Sequence, residues 1–362
     1  MAEPLKNLYN RTFFDNLISD FKSEKSDFDE KAFRNKIFDS DWDARELKDR
    51  MRHIAVTLNE VLKMSYSETL NLFKKVIKMR SGLALEYMFF PDFVEVFGLD
   101  NLEKSLDALE AFTENASSEF AIRPFILKYE KETMARMNQW SKHKNHHIRR
   151  LASEGCRPRL PWAMALPKYK KDPTPVLPIL ERLKNDESEY VRRSVANNLN
   201  DISKDHPDLF LKIGQKWIGK TVETDWVVKH ASRTLLKQGN TQALMLFGFG
   251  NPENIEVLNL KLSPDPIKIG DDLFFNFDLK NNASESAKLR LEYAIDFVKK
   301  TGKTSKKVFK ITENKYENSI TTIKRKQSFK DFTTRTHYPG THRLGIIING
   351  IEKANLDFEV IR

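Results

Sequence analysis

Ile148-Arg149-Arg150-Leu151-Ala152-Ser153-Glu154 recurs as Val191-Arg192-Arg193-Ser194-Val195-Ala196-Asn197, 43 residues later. It recurs again as Val227-Val228-Lys229-His230-Ala231-Ser232-Arg233, 36 residues further on. Each copy opens on an apolar residue, passes through basic residues and continues with small ones. On a helix, that order gives an apolar stripe beside a basic one. A period near ~40 residues with such a helix inside it is the pattern of HEAT-type helical pairs, which stack on one another into a solenoid with a concave face. The first apolar residue and the small residues of each copy would pack on the neighbouring pair. The residues at the seventh position, Glu154, Asn197 and Arg233, would then recur along one face.

Toward the N-terminus the repeat is no longer visible, but helical spacing persists in Leu17-Ile18-Phe21, Ile54-Leu58-Val61-Leu62 and Leu70-Leu72-Phe73-Val76-Ile77. Asp100 or Asn101 is placed to cap a helix through Leu102, Leu106, Leu109 and Phe112. Toward the C-terminus the period shortens after Gly248-Phe249-Gly250-Asn251-Pro252. Phe274-Phe275-Asn276-Phe277-Asp278-Leu279 and Leu289-Arg290-Leu291-Glu292-Tyr293 alternate as strands do, with turns at Asn281-Asn282, Pro339-Gly340 and Asn349-Gly350. Thr341 to Ile348 and Ile351 to Ile361 flank the last of these like a hairpin. About seven short strands fit an immunoglobulin-like β-sandwich. The expected fold is multidomain, α then β. An all-α HEAT-like solenoid occupies residues 1–250 and an immunoglobulin-like β-sandwich residues 255–362.

The chain has 362 residues, 40% hydrophobic and 31% charged, enough for two or three domains. Cys156 is its only cysteine, which rules out an intramolecular disulfide. The N-terminus has no apolar signal core, and no run of about 18 apolar residues occurs. A reducing cytoplasm is therefore the expected location. The net charge of +10 is uneven. Residues 1–139 carry 21 lysines and arginines against 25 acidic residues, residues 140–253 carry 20 against 12, and residues 254–362 carry 20 against 14. The basic excess in the C-terminal two thirds is where a polyanion would bind. His143, His146 and His147 lack a second Cys/His cluster at metal-binding spacing. Gly302-Lys303-Thr304 lacks the upstream glycine of a phosphate loop. Neither a metal nor a cofactor is expected.

The first repeat copy runs on to Arg157-Pro158-Arg159-Leu160-Pro161-Trp162. Arginines, a carboxylate and an indole then stand within fifteen residues. Arginines hold phosphates, a carboxylate stabilises a developing cation, and an indole face lies well against a sugar or a cation. These groups suit nucleic acid carrying a positively charged lesion. With Ser118-Glu119-Phe120-Ala121-Ile122-Arg123-Pro124-Phe125 and Val191 to Asp201, this segment resembles the AlkC-type alkylpurine DNA glycosylases. Those enzymes are built on HEAT-like repeats, and a subset carries an appended immunoglobulin-like module.

The resemblance implies excision of cationic N3-alkylated bases, 3-methyladenine first and 3-methylcytosine next, from duplex DNA without flipping of the base. It implies a monomeric, cofactor-free, cytoplasmic and nucleoid-associated bacterial enzyme of base excision repair. Carried over motif by motif, the catalytic candidates are Glu119, Glu154, Asp201 and Trp162. The carboxylates would stabilise an oxocarbenium-like sugar and direct water, and the tryptophan would lie against sugar or base. Asn197 and Asp201 share a helix face. Candidates for DNA contact are Arg149, Arg150, Arg157, Arg159, Arg192, Arg193, Asn197, Lys229 and Arg233, with Lys303, Lys324 and Arg325 in a clamping β domain. Two other readings fit the same pattern: a non-catalytic protein that binds DNA structure, and a HEAT scaffold whose basic face meets an acidic protein.

Overall fold

The computed structural model describes residues 3–79, 82–332 and 335–362. Among them, sixteen α-helices precede eight strands. The first eight helices are α1 (Arg11–Glu24), α2 (Glu30–Ile37), α3 (Leu47–Leu62), α4 (Tyr66–Lys78), α5 (Phe89–Phe97), α6 (Leu102–Phe112), α7 (Ile122–Lys128) and α8 (Glu130–Trp140). The next eight are α9 (His146–Glu154), α10 (Pro167–Lys171), α11 (Leu177–Leu183), α12 (Glu189–Asp205), α13 (Pro207–Trp217), α14 (Val222–Ala231), α15 (Arg233–Lys237) and α16 (Thr241–Leu246). By contacts, the chain separates into two compact units. One is Met1–His206 with Trp217–Ala231; the other is Pro207–Lys216 with Ser232–Arg362.

In the first unit the N-terminal helices close around aromatic side chains. Phe14, Phe21, Phe33, Phe73 and Phe90 are each fully buried. Helix ends are held by side chains: Asn10 accepts from the Phe13 amide, and Ser65 with Glu68 forms a reciprocal capping box before α4. Asn101 does stand at the start of α6, but its side chain makes no capping bond there. The first two repeat copies become α9 and the front of α12, which pack on each other, and α14 packs on α12 from the third copy. Ile148, Leu151 and Ala152 of α9 and Val191, Val195 and Ala196 of α12 are the buried residues that the repeat spacing marks. Asn198 pins the two helices by donating from Nδ2 to the carbonyl of Ser153 at 2.8 Å. The third copy is broken: α14 stops at Ala231, and Arg233 begins α15 in the other unit.

In the second unit β1 (Ile255–Ser263), β3 (Asp272–Asn281) and β6 (Ile320–Ser328) form a three-stranded sheet in the order β1-β3-β6. The five-stranded sheet has the order β2-β8-β7-β4-β5, from β2 (Ile267–Lys268), β4 (Ala287–Val298), β5 (Thr304–Tyr316), β7 (Gly340–Ile348) and β8 (Ile351–Ile361). Alternation puts Leu273, Phe275, Phe277 and Leu279 of one sheet against Leu289, Leu291 and Ile295 of the other. Ile348 pairs with Ile351 across Asn349-Gly350, both at positive φ (46° and 82°), the conformation a two-residue hairpin demands. The short helices α15 and α16 belong to this unit. Gly239 lies so close to Gly350 that a Cβ on Gly350 would fall 2.6 Å from the Cα of Gly239. Asn349 donates to the carbonyl of Gly250 at 2.8 Å, and Lys288 donates to that of Phe247 at 2.8 Å.

Candidate functional site

Glu119, Glu154 and Asp201 come together in the first unit, joined by two arginines. Glu119 precedes α7 and accepts from Ser117 Oγ at 2.6 Å and from the guanidinium of Arg150 on α9. Arg150 also lies over the ring of Tyr190 at 5.0 Å and reaches Oε1 of Glu154, its neighbour one turn on, at 3.7 Å. The same oxygen of Glu154 takes Arg157 at 2.5 Å. From there Arg157 Nε donates to Oδ2 of Asp201 at 2.9 Å, and Lys204 approaches Oδ1 at 3.2 Å. Charge therefore alternates along the whole series, from Glu119 to Lys204.

The inner members are nearly dry, with side chains exposed by 6% for Glu154, 8% for Arg157 and 2% for Asp201. Burial alone would lower the pKa of Arg157, but Glu154 and Asp201 outweigh it and hold the guanidinium above its ordinary value. Carboxylates placed so in a dry, fixed setting are suited to stabilise a cation, because no solvent has to reorganise around them. Cys156 lies beside them, and burial pushes its thiol up to about 12, out of nucleophilic range.

Trp162 sits on the loop between α9 and α10. It is 62% exposed and has a φ of 65°, a left-handed conformation that costs a residue with a side chain on the order of 1–2 kcal/mol. The loop is held at both ends. Arg123, fully buried on α7, donates from Nε to the carbonyl of Met164 at 2.6 Å and from Nη1 to that of Gly155 at 2.9 Å. Burial pushes its pKa down to about 10. The amide of Leu166 closes the loop on the carbonyl of Pro158 at 3.1 Å. Lys48 of α3 donates to the carbonyl of Trp162 at 2.8 Å.

Several arginines expected at phosphates are engaged elsewhere. Arg149 is buried, makes a two-pronged pair with Asp186 at 2.6 and 2.8 Å, and donates to the carbonyls of His143 and Lys144. Arg157 is the bridge just described. Arg192 donates to the carbonyls of Asp186 and Glu187 at 2.6 and 2.9 Å. Arg149 and Arg157 are thus engaged in joining one helical pair to the next, and Arg192 in holding the turn that leads into its own helix α12. Arg159, paired with Asp205, and Arg193, paired with Glu189, are more open. Asn197 and Lys229 are half-buried on α12 and α14. Arg233 is half-buried in the second unit, so it shares no compact unit with Glu154 and Asn197. In that unit Lys303 stands exposed in the β4–β5 turn, and Lys324 and Arg325 are exposed on β6.

Sequence reasoning misses Arg123, although it lies inside the Ser118–Phe125 motif, and Lys204, three residues beyond Asp201. Lys48, Ser117, Tyr190 and Asp186 carry no local signal, since each acts through a partner at least 33 residues away that only the fold supplies. Among the described residues no group of three or more His, Cys, Asp and Glu is placed to hold a metal ion. Among the same residues no helix is long and apolar enough to cross a membrane.

Comparison with known proteins agrees in both halves of the chain. A family described as "DNA alkylation repair enzyme" matches residues 84–235, and one described as "Uncharacterised protein YhaZ, C-terminal Ig-like domain" matches residues 256–362. The uncharacterized protein YhaZ of Bacillus subtilis (strain 168) is 49% identical over 357 residues, 98% of this chain and 99% of its own. The structure of the Pseudomonas fluorescens alkylpurine DNA glycosylase AlkC bound to DNA containing an abasic site analog superposes with a TM-score of 0.95 at 37% identity. That match covers 99% of this chain and 100% of AlkC.

Proposed function

This chain belongs to the DNA alkylation repair enzymes of AlkC type with a C-terminal Ig-like domain, and from that membership we propose that it is a DNA glycosylase for cationic N3-alkylated bases. The observation that carries the reading is the convergence of Glu119 from the turn before α7 with the nearly dry Glu154 of α9 and Asp201 of α12. The same acids anchor Arg150 and Arg157 between elements, but Asp201 keeps its second oxygen for the half-open Lys204 alone among the described residues, which favours a site for a cation over a purely structural bridge. A base alkylated at N3 already carries a positive charge and leaves readily. What remains is to hold the positive sugar and bring water to its anomeric carbon. Asp201 is assigned the first task, as the most buried of the three carboxylates, with Glu154 and Glu119 extending the negative field. Trp162, exposed on its held loop, is assigned to lie against the sugar or the cationic base.

The lesion keeps to the groove in this reading and does not enter a pocket. Duplex DNA would be held by the more open Arg159 and Arg193, by the half-buried Lys229, and by Lys303, Lys324 and Arg325 of the β unit, which fix register without reading sequence. A monomer suffices, since all the catalytic candidates lie in one unit of one chain.

The test is release of methylated bases from N-methylated duplex DNA by the wild type, Asp201→Asn and Glu154→Gln. The expected result is release of 3-methyladenine that collapses by ~100-fold or more in Asp201→Asn while duplex binding persists, the loss typical when one electrostatic partner of a transition state is removed. A well-folded wild type that binds DNA and releases no base would overturn the enzyme assignment in favour of a DNA-structure-binding protein.

A further inference from the structure

Arg157, expected at a phosphate, stands instead between two carboxylates. Its Nη1 meets Oε1 of Glu154 at 2.5 Å and its Nε meets Oδ2 of Asp201 at 2.9 Å, so a single rigid fork spans the end of α9 and the middle of α12. Both acids are buried. Without a cation between them, two carboxylates this near in a dry setting would not both stay ionised. The two oxygens of Asp201 differ as a result. Oδ2 is committed to Arg157, whereas Oδ1 among the described residues meets the long, flexible Lys204 alone, whose side chain is 38% exposed. Counting Glu154, Arg157 and Asp201 together, the buried trio carries one net negative charge, and Arg150, which approaches Glu154 at 3.7 Å, is itself paired with Glu119. In the free protein Lys204 offsets it from outside.

We infer that Arg157 is a positioning residue of the base-release reaction, fixing Glu154 and Asp201 together and presenting Asp201 Oδ1 to the substrate cation, with Lys204 as the counter-ion that the substrate displaces. The inference rests on the glycosylase reading and deepens it. Arg157 does not itself touch the sugar. It acts through the two acids, by keeping both ionised and by choosing which oxygen faces outward. The other charged and titratable groups around the pair are Arg150 with Glu119 on the Glu154 side, Arg123 below, Arg159 near Asp201, and the neutral Tyr190 and Cys156. Arg150 is shared between Glu119 and Glu154, Arg159 pairs with Asp205, and Arg123 is tied to the carbonyls of Gly155 and Met164; among the described residues none of the three bonds to both acids as Arg157 does.

Substitution of Arg157 by Met removes the charge and keeps much of the volume; Lys keeps the charge and loses the fork. Single-turnover base release is followed from about pH 5 to about pH 9, with circular dichroism and urea melts to confirm folding. Arg157→Met is expected to move the acid limb of the profile upward by about one pH unit or more, as one carboxyl of the unbridged pair takes up a proton. Arg157→Lys is expected to leave that limb near the wild-type position while the rate falls by ~10-fold or more. A rate that drops by the same factor at every pH in Arg157→Met overturns the inference and makes the residue merely structural. So does Arg157→Lys with wild-type rate and profile, which stands as the test if Arg157→Met does not fold.

A measurement on the free wild-type protein separates this inference from the function it rests on. Nitrogen-15 NMR of the Arg157 side chain is expected to show an Nε proton that exchanges slowly with solvent, because it is buried in its bond to Asp201, and to lose that protection in Asp201→Asn. A freely exchanging Nε proton in the wild type overturns the positioning role whatever the protein does to DNA. A protected one in a protein that releases no base would leave the bridge standing and remove the glycosylase.

Discussion

Replacing Arg123 by Met should weaken catalysis far more than folding, and the structure says why. Two hydrogen bonds are lost, a buried one to the carbonyl of Gly155 and a partly buried one to that of Met164. At roughly 1.5–3 kcal/mol each for a charged donor, that costs about 3–6 kcal/mol. Against this, the folded state carries the expense of burying a guanidinium, visible as the pKa pushed down to about 10 from an ordinary 12.5. At 1.36 kcal/mol per unit, that is about 3 kcal/mol, returned when a neutral side chain takes its place. The sign is consistent: a base with a depressed folded pKa penalises the fold at every pH below that value, and the penalty lifts only as pH rises through it. The net loss is therefore about 0–3 kcal/mol, within the ~5–15 kcal/mol that holds an ordinary domain. The loop bearing Trp162, however, loses both of its inner ties. Urea melts should show the modest loss, single-turnover base release a fall of ~100-fold or more, and iodide quenching a change in the exposure of Trp162, isolated by comparison with Trp162→Phe. A melt displaced by more than ~5 kcal/mol, or a wild-type rate with unchanged quenching, would refute the reasoning.

Other expectations follow from the second unit and from the charge distribution. Gly350→Ala should cost ~2–4 kcal/mol, since its φ of 82° disfavours a Cβ and that Cβ would stand 2.6 Å from the backbone of Gly239. Calorimetry should show a melting point lowered by several degrees, and an unchanged one would deny the close approach of the two glycines. Burial lowers the pKa of both His337 and His342 below the usual 6.5, although Asp331 opposes it at His337. Stability of this unit should accordingly be full above about pH 6.5 and decline as pH falls below it toward the folded values, because the unfolded chain takes up protons first. A urea midpoint that stays flat from about pH 7 to pH 5 would contradict the assignment of neutral imidazoles. Duplex binding should fall steeply with salt, and Lys324→Glu with Arg325→Glu should lower affinity and flatten the logarithmic slope by about 0.9 for each phosphate that is no longer neutralised. No change in either would take β6 off the DNA.

The repeat at Ile148, Val191 and Val227 is enough to place α9, α12 and α14, because small and apolar residues at helical spacing leave few other ways to be buried. Strand alternation and Asn349-Gly350 likewise mark the sandwich and its terminal hairpin, where periodicity and turn chemistry are both local. The arginines are a different matter. Arg149 and Arg157 look alike in sequence to Arg159 and Arg193, yet they meet Asp186 and Asp201, 37 and 44 residues away. Which arginine faces outward depends on the stacking of one helical pair on the next. The division into units is hidden for the same reason. The helical pattern runs to Leu246, but Gly239 packs on Gly350, so helices that look like the tail of the solenoid cluster with the β-sheets. Arg123 escapes notice because the acid at the front of its motif carries the chemical signal, and nothing in sequence says that an arginine will be dry.

The hydrogen bond from Lys48 to the carbonyl of Trp162 bears on how much of this chain an engineer could discard. The DNA alkylation repair match begins at residue 84, which invites a shortened protein starting there. Such a protein would keep every acid of the site and lose the lysine that holds the tryptophan's peptide from the outside. The peptide is left-handed, and nothing in its own sequence favours that shape. A shortened protein would therefore be expected to bind DNA and work poorly, and restoring its activity would call for a new donor at that one carbonyl rather than any change among the carboxylates.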